Sequence, residues 1–440
     1  MEIDRVHRFL RKQKNKPPWS FADAPEPRQP GKVVHAMEHV HNALWLGLLS
    51  NEPTLRDVER MTGQLGPWGR SLVPAPISDT TLDTEARRLP EAYLSSKLCA
   101  QVREMKRAKM LAPVGLPCGV ATIDGKNLAT LDHDAGGRAQ RRSSDNAKWV
   151  QAGREQTGKP YYLAPALRAV LTSAEAKPAL AQLSLGPKQG ESAAFVDMVE
   201  ALHRDYGRSD LIDVIDADAG LCSLRNADAV DALGYAYVFG LKSSPQGELF
   251  AEAQALLEPL AQRQGPEAET PWERRGARRI RRRLWRTAEM QGIENSVGTW
   301  SHLRQTWLVR QETTLDDGTV VEVEDRYFIS SLLWNYLKPS QILTLVRNHW
   351  GIENDAFNSL DLQWREDLGP WCTHGDAVWG LGLLRLMAYN LVQYLRKRRL
   401  RRKDEHGVWR EPPSWRSLFR LLRTTLDTAS VEPMATCTGG

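Results

Sequence analysis

Three acidic residues stand at positions where two strands and a helix would bring them together. Asp124 follows the apolar run CGVATI, Asp216 follows LIDVI, and Glu353 lies in an amphipathic stretch that begins after Pro339. Short apolar, β-branched runs predict buried strands, and the carboxyl ends of such strands commonly open into a site. We therefore expect the three carboxylates to meet, although a single Asp at a strand end is more often a turn or a helix cap.

Carboxylate oxygens are hard ligands that suit Mg²⁺ or Mn²⁺. Two such ions about 4 Å apart can activate an attacking hydroxyl and stabilise the leaving 3′ oxygen of a phosphodiester. The sequence therefore predicts a site with two divalent ions, held by Asp124, Asp216 and Glu353, that acts on a nucleic-acid backbone.

Residues 112–243 alternate between strand and helix patterns. The predicted strands are CGVATI, YYLAPALRAVL, ALAQLSL, LIDVID and AYVFGLK, with a helix on each side of the fourth. This order is typical of an RNase H-like α/β core, in which the first and fourth strands lie side by side. Asp218 is the local alternative to Asp216, whereas strand alternation places Asp213 on the opposite face from Asp216.

The segment 244–324 interrupts this core, which resumes over 325–400 with the glutamate helix and a second helix, VWGLGLLRLMAYNLVQYLRKRR, predicted to be buried. The second half of the insertion reads as strands, with a hairpin turn at 316–318. Its tryptophans either stack on an unpaired base or pack in the core: Trp272, Trp285, Trp300 and Trp307.

Basic residues are concentrated in two runs. The run 274–286 holds eight arginines in thirteen residues, and 396–403 holds seven basic residues in eight. Such runs bind phosphates without reading sequence, or they are a solvated helix face or a disordered tail. In the first run we expect DNA contacts from Arg278, Arg279, Arg282 and Arg283. The second run leads into a basic, flexible tail, 401–440.

The N-terminal segment, 1–111, has a helical pattern and is predicted to be a DNA-binding domain. Its residues 54–89 suggest a helix-turn-helix, with TLRDVERM as the first helix and a second helix capped by Ser78. Asp79, Thr80 and Thr81 would then meet base edges. The turn-rich linker is longer than usual, and most helix pairs in proteins bind no DNA.

Several short blocks within 117–390 resemble the insertion-sequence DDE transposases, in particular the branch of the H-repeat-associated proteins. The blocks are IDGK, IDA, GLK, RYFISSL, RNHWGIEN and LDLQWRED. The wider superfamily places Tyr, Arg and Lys around the catalytic glutamate, and these positions read Val346, His349 and Leu360 here. The branch also carries a His-Trp pair where this chain has Phe357 and Asn358.

The resemblance implies a transposase that binds double-stranded DNA at transposon terminal repeats, cleaves it, and joins the 3′-OH ends to target DNA as a homodimer. It implies Asp124, Asp216 and Glu353 as catalytic metal ligands. It also implies DNA contacts from the following residues: Lys126, Lys242, Arg347, His349, Trp350 and Asn354. The alternatives are an inactive or repurposed DNA-binding relative, and a host nuclease or resolvase on the same fold.

Composition narrows the class of protein further. Lys and Arg outnumber Asp and Glu by only 59 to 54, and the five cysteines form no C-x-x-C pair, so neither a zinc site nor a disulfide framework is predicted. Residues 132–134, Asp-His-Asp beside glycines, predict a flexible turn. Without an apolar leader, a membrane span or a P-loop, we expect a cytoplasmic, nucleoid-associated bacterial protein with no nucleotide cofactor.

Overall fold

The computed structural model describes residues 2–13, 19–131, 150–154, 160–186, 189–244, 246–366, 371–372 and 375–428. The predicted turn at 132–134 lies outside these residues, as does Cys437. The other four cysteines are buried and unbridged.

Eleven strands of the described chain form one large mixed sheet, and two short strands form a separate pair. The strands are β1 (Val120–Leu131), β2 (Val150–Arg154), β3 (Pro160–Leu171), β4 (Ala179–Ser184), β5 (Val214–Ala217), β6 (Ala236–Leu241), β7 (Ala268–Glu269), β8 (Glu273–Arg275), β9 (Arg278–Thr287), β10 (Glu294–Asn295), β11 (Gly298–Thr299), β12 (Gln305–Leu315) and β13 (Val320–Ser330). The large sheet has the order β2-β3-β1-β5-β6-β13-β12-β9-β7, with β4 also paired to β3 and β8 to β9.

The helices lie N-terminal to the sheet, between its strands and after it. They are α1 (Glu2–Gln13), α2 (Met37–Leu49), α3 (Leu55–Gln64), α4 (Pro67–Arg70), α5 (Asp79–Ala86), α6 (Glu91–Arg107), α7 (Glu191–Tyr206), α8 (Leu224–Ala232), α9 (Gly247–Arg263), α10 (Pro339–His349), α11 (Asn358–Trp364), α12 (Gly375–Tyr394) and α13 (Trp415–Thr428). In the described part of the chain, no helix is both long and apolar enough to span a membrane.

The register of β1 determines where the first two aspartates lie. β1 runs antiparallel to β3 and parallel to β5, with Thr122 opposite Asp216 and Ile123 opposite Ala217. β5 in turn runs parallel to β6. The prediction that the first strand and LIDVID lie side by side is therefore confirmed. Strand β1 continues to Leu131, so Asp124 lies within β1, beside the carboxyl end of β5, and not at the end of its own strand as predicted.

Helix α12 is buried, as its pattern predicts. Val378 and Trp379 pack against Leu128 and Ala129 of β1. Its other neighbours include α2, α5 and α6, so the N-terminal helices and the sheet share one continuous hydrophobic core.

The predicted helix pair in 54–89 consists of α3 and α5, capped by Thr54 and Ser78 respectively. The linker between them contains the short helix α4. Helix α5 ends at Ala86, three residues before the predicted end at Leu89, and it buries Leu82, Glu85 and Ala86.

The inserted segment contains more strand than predicted. The turn at 316–318 joins β12 to β13 as expected, but the first arginine run also forms a strand, β9, paired along its whole length with β12. Trp285, Trp300 and Trp307 are 3%, 1% and 0% exposed, so these three pack in the core. Trp272 is 41% exposed.

The prediction of a flexible tail over 401–440 is wrong for residues 415–428, which form α13. This helix is amphipathic and buries Leu418, Phe419 and Leu422. It packs against α1, α2 and α4. Apolar residues at i, i+3 and i+4 spacing explain why it docks despite its basic neighbours.

Candidate active site

Asp124 and Asp216 lie on neighbouring parallel strands but in different surroundings. Asp124 is half-buried on β1, and its Oδ1 accepts a hydrogen bond of 2.8 Å from the Gly125 N–H. Asp216 is only 1% exposed on β5. Its Oδ2 accepts a hydrogen bond of 2.9 Å from the Thr122 hydroxyl, which is the residue opposite it in the register.

Glu353 belongs to a π-helical segment, Ile352–Phe357, that follows α10. Pro339 begins α10 at its first turn, where its missing N–H costs nothing. The π-turn buries Ile352, Ala356 and Phe357 and leaves Glu353 exposed. Such single-turn widenings of a helix occur frequently at functional sites.

His349, four residues before Glu353, contacts the second aspartate. Its Nδ1 lies 2.9 Å from Oδ2 of Asp216. Burial alone would lower the pKa of His349, but the carboxylate of Asp216, with smaller contributions from Asp124 and Asp218, outweighs it and raises this pKa to about 9. The imidazole is therefore cationic at neutral pH, and it compensates the buried charge of Asp216.

Asp218 faces the same cavity as Glu353. The cavity has a volume of about 550 Å³, and its lining includes Asp218, Lys242, His349, Trp350 and Glu353. Asp218 also caps the short 3₁₀ helix Ala219–Leu221, because its Oδ1 accepts a hydrogen bond of 3.2 Å from the Leu221 N–H. The local alternative to Asp216 thus occupies a more open position than Asp216 itself.

Three carboxylates interact electrostatically at this edge of the sheet. The pKa of Asp124 is raised to about 7, mainly by burial and to a smaller extent by the charges of Asp218 and Glu353, against the opposing effects of the Gly125 N–H and His349. Because burial is the largest cause of this rise, the ionised form of Asp124 would need further positive charge beside it.

A divalent cation would supply that compensation. Within the described residues, no three His, Cys, Asp or Glu side chains are gathered closely enough to hold a metal ion as they stand. The donors are nevertheless all carboxylate oxygens, the ligands preferred by Mg²⁺ and Mn²⁺. The charges of Asp218 and Glu353 both act on Asp124, and Asp216 lies on the neighbouring strand, so the donor set fits a hard cation.

Trp350 and Lys242 also lie in this cavity. The guanidinium groups of Arg326 and Arg282 lie 4.3 and 5.4 Å from the centroid of a Trp350 ring. Arg282 is only 3% exposed, and burial lowers its pKa. Arg326 and Trp350 therefore line the cavity beside the carboxylates, whereas Arg282 is buried against the same indole and does not line it.

Other residues predicted to bind DNA lie outside the cavity. Arg347 forms a salt bridge of 2.6 Å with Glu273 and lines a different cleft, so the prediction that it meets phosphate beside the metals is not supported by its position. Asn354 is exposed and does not line the cavity. Lys126 lies 2.6 Å from the carboxylate of Asp361.

The arginines of β9 differ from one another in exposure and pairing. Arg278 and Arg279 are exposed, and Arg279 lies 3.2 Å from Asp316. Arg283 forms a salt bridge with Glu312. The sequence analysis predicted the same role for all four arginines. In the structure, only those at the beginning of β9, Arg278 and Arg279, are exposed to solvent.

The three residues predicted to read bases lie at the beginning of α5. The Asp79 N–H donates a hydrogen bond of 3.0 Å to Glu59 on α3, and Thr81 is bonded to the cap Ser78. Thr80 is exposed. They do not line the cavity of the carboxylates.

The sequence analysis missed one acidic residue at this site. A Cβ on Gly125 would lie 2.0 Å from the Glu191 carboxylate, so Gly125 leaves room for that side chain. Burial raises the pKa of Glu191, and the charge of Asp218 adds to this rise. The signal in the sequence is weak, because an acidic residue in the first turn of a helix is common for reasons of the helix dipole alone.

Comparison with known proteins decides the family. A family model described as "Transposase DDE domain" matches residues 120–391, which is more than half of the chain. The chain belongs to this family of DDE transposases. The match begins at β1 and ends within α12, so it contains all three predicted catalytic residues and the inserted strands.

A search of solved structures finds a piggyBac transposase, in a cryo-EM structure of its synaptic complex with hairpin DNA. The similarity has a TM-score of 0.39 at 9% sequence identity, and it covers 99% of this chain and 80% of that chain. No curated protein matches this sequence.

Proposed function

We propose that this DDE transposase binds the ends of its element, cleaves them by metal-dependent hydrolysis of a phosphodiester, and joins the freed 3′-OH ends to target DNA. The observation that carries the proposal is the parallel pairing of β1 with β5, which places Asp124 and Asp216 on adjacent strands at the edge where Glu353 enters. The strand order around β1, with β3 antiparallel on one side and β5 and β6 parallel on the other, supports an RNase H-like core.

Asp124, Asp216 and Glu353 are proposed as the metal ligands, with Asp218 as the competing second aspartate. Two Mg²⁺ or Mn²⁺ ions, when bound, would activate water and stabilise the leaving 3′ oxygen. His349 holds Asp216 in place through its hydrogen bond. Because Asp216 must exchange that bond for a metal, we propose that the His349–Asp216 contact belongs to the metal-free state.

Trp350, Arg326 and Lys242 are proposed to position the DNA strand. An indole beside guanidinium groups offers a stacking surface for a base together with positive charge for phosphate. The two ends of an element must be joined in one event, so we propose a homodimer that acts on paired ends.

One observation favours a second candidate, a DNA-binding relative without catalysis. Asp216 is 1% exposed and already engaged by His349 and Thr122, and His349 stands where the wider superfamily has arginine. Such a protein would bind end DNA through its basic residues and leave it intact.

Cleavage of end DNA separates these candidates. A labelled duplex from the flank of the coding sequence would be incubated with the protein in Mg²⁺, in Mn²⁺ and in EDTA. If the protein is an active transposase, we expect strand cleavage at the element's end in Mg²⁺ or Mn²⁺ and none in EDTA. Binding without cleavage in either metal supports the second candidate. Cleavage of unrelated DNA with equal efficiency indicates a general nuclease on the same fold.

A further inference from the structure

A basic pocket lies outside the candidate active site. It has a volume of about 410 Å³ and is lined by Arg5, Arg401, Arg402, Lys403 and Trp409. Arg5 comes from α1, and the other four come from a hairpin-like segment closed by the bridge between Lys403 and Trp409. Elements from the two ends of the chain therefore meet here.

The pocket combines an open aromatic surface with positive charge. The Trp409 side chain is 46% exposed. The Lys403 Nζ and the Arg401 guanidinium lie 5.1 and 5.7 Å from the centroid of its ring. Arg401 is partly compensated by Glu175, at 2.8 Å. Arg5 and Lys403 form no ion pair with any residue that the structure describes. The pocket thus has a surplus of cations around an accessible indole.

Glu175 connects this pocket to the cleft beside the glutamate helix. It accepts hydrogen bonds from Arg401 at 2.8 Å and from Lys397 at 3.3 Å. Lys397 and Glu175 both line the cleft of about 650 Å³ that also contains Arg347. Arg347 lies on α10, the helix that leads to Glu353. The basic residues of this cleft, Lys177, Arg347, Arg396 and Lys397, lie among the carboxylates of Glu175, Asp355 and Glu411. A strand leaving the active site over α10 would reach the pocket along this cleft.

We propose that this pocket binds a nucleotide with an unpaired base, in a DNA strand that runs from the candidate active site. Its base stacks on Trp409, and its phosphates are neutralised by Arg5 and Lys403. Cationic grooves with exposed aromatics bind single strands in this way, because every base has an aromatic face that can stack. Duplex DNA presents only phosphates here, because its bases are stacked on one another. The proposal rests on the proposed function, which supplies the cut strand.

The test measures binding without catalysis. Full-length protein would be titrated in EDTA against two labelled single-stranded oligonucleotides of equal length, one intact and one abasic at its central positions. The variants are Trp409→Ala, Trp409→Phe and the double variant Arg5→Ala/Lys403→Ala. The matched control is Arg416→Ala/Arg420→Ala, which removes two exposed charges from α13.

The wild-type protein is expected to bind the intact strand more tightly than the abasic strand, by about five- to a hundred-fold. Trp409→Ala should remove most of this preference, and Trp409→Phe should keep it. Arg5→Ala/Lys403→Ala should weaken binding of both oligonucleotides and lower the slope of log affinity against log salt by about 1.4, since each phosphate contact on a single strand contributes about 0.7.

An unchanged preference for the intact strand in Trp409→Ala would overturn the proposal. So would a salt slope for Arg5→Ala/Lys403→Ala that equals the slope of the α13 control. Because no metal is present, these results are independent of cleavage. If the wild-type protein did not cleave end DNA in Mg²⁺ or Mn²⁺, that result would count against the proposed function. The preference for the intact oligonucleotide, measured in EDTA, would still test whether the pocket binds an unpaired base.

Discussion

At the scale of single residues, a buried ion pair holds β3 to the segment after the glutamate helix. Arg168, opposite Asp124 in the register, donates hydrogen bonds of 2.6 and 2.9 Å to Glu366, and their side chains are 1% and 0% exposed. Glu366 follows α11, in the stretch that connects Glu353 to α12. The pair therefore fixes the strand of the first aspartate relative to the glutamate.

Glu366→Gln is expected to lower the free energy of unfolding by about 3 kcal/mol, because removal of one partner leaves a buried guanidinium uncompensated. Urea unfolding of the variant and the wild type measures this difference. Asp316→Asn is the control, since its partners Arg274 and Arg279 are exposed and the change should cost less than about 1 kcal/mol. If the two substitutions lowered the free energy of unfolding equally, the buried pair Arg168–Glu366 would not stabilise the fold more than an exposed pair does.

The buried His41 on α2 should make the free energy of unfolding depend on pH. It is 0% exposed, and burial lowers its pKa to about 4 from an ordinary value of 6.5. Between pH 6.5 and pH 4, His41 is therefore protonated in the unfolded chain and neutral in the folded chain. The contribution of His41 to stability should be constant above pH 6.5 and fall as the pH decreases towards 4, by about 3 kcal/mol in total.

Unfolding midpoints at pH 7 and pH 5 test this prediction in the wild type and in His41→Gln. The variant has no ionisable group at position 41, so its stability should fall less over this interval. An identical loss of stability in both proteins would show that other groups cause the acid sensitivity.

At the scale of elements, β9 separates exposed arginines from structural ones. Arg278 and Arg279 are exposed at its beginning, whereas Arg282 is buried near Trp350. Replacing Arg278 and Arg279 by Ala should lower the salt slope of duplex binding by about 1.8, if each contacts one phosphate.

The matched control for β9 is Arg204→Ala, an exposed arginine on α7 paired with Asp205. It should leave the slope unchanged. Arg282→Ala should instead lower the free energy of unfolding, because it removes a buried side chain that packs against Trp350. A slope that does not change in Arg278→Ala/Arg279→Ala would show that the beginning of β9 is solvated rather than bound to DNA.

Helix α5 tests whether sequence is read separately from phosphate binding. Asp79→Ala/Thr80→Ala/Thr81→Ala should reduce the preference for the element's ends over random DNA, because each lost contact with a base costs about 1–3 kcal/mol of discrimination. Ser78 remains and still caps the helix. Competition footprinting measures the preference, and undiminished preference would remove α5 as the reading element.

The elements that carry the aspartates are predictable because their signals are local. The apolar run that begins β1 and the one that forms β5 each lead into an aspartate, and Pro339 marks the beginning of α10. The continuation of β1 beyond Asp124 to Leu131 was not predicted. The His349–Asp216 contact is not predictable, since it joins residues 133 positions apart through tertiary packing. Strand β9 escapes prediction for a related reason. Ile280, Arg282 and Leu284 share a face, and the buried arginine is compensated by the distant Trp350 indole and by Glu273.

At the scale of the whole molecule, the sheet connects the catalytic edge to the inserted strands without a break. β6 of the parallel part pairs with β13 of the insertion through Tyr327 to Ser330. The wall containing Arg326 and Trp350 is therefore held rigidly against the edge containing Asp124 and Glu353. A rigid frame of this kind is what positioning a DNA strand at a metal site requires.

The most direct test of the account is metal-dependent cleavage by variants that still bind DNA. Asp124→Asn, Asp216→Asn and Glu353→Gln each remove a ligand charge at nearly constant volume. Single-turnover cleavage of an end duplex in Mg²⁺ would be measured beside binding of the same duplex in EDTA. Asp213→Asn is the control, because Asp213 lies at the opposite end of the strand and accepts a hydrogen bond from the Gly119 N–H at 2.6 Å.

The account predicts that all three variants lose cleavage and keep wild-type binding, while Asp213→Asn cleaves. If Asp216→Asn cleaved and Asp218→Asn did not, the second metal ligand would be Asp218. Cleavage at the wild-type rate by Asp124→Asn and Glu353→Gln would contradict the account, because the carboxylates at this edge of the sheet would then not perform the chemistry.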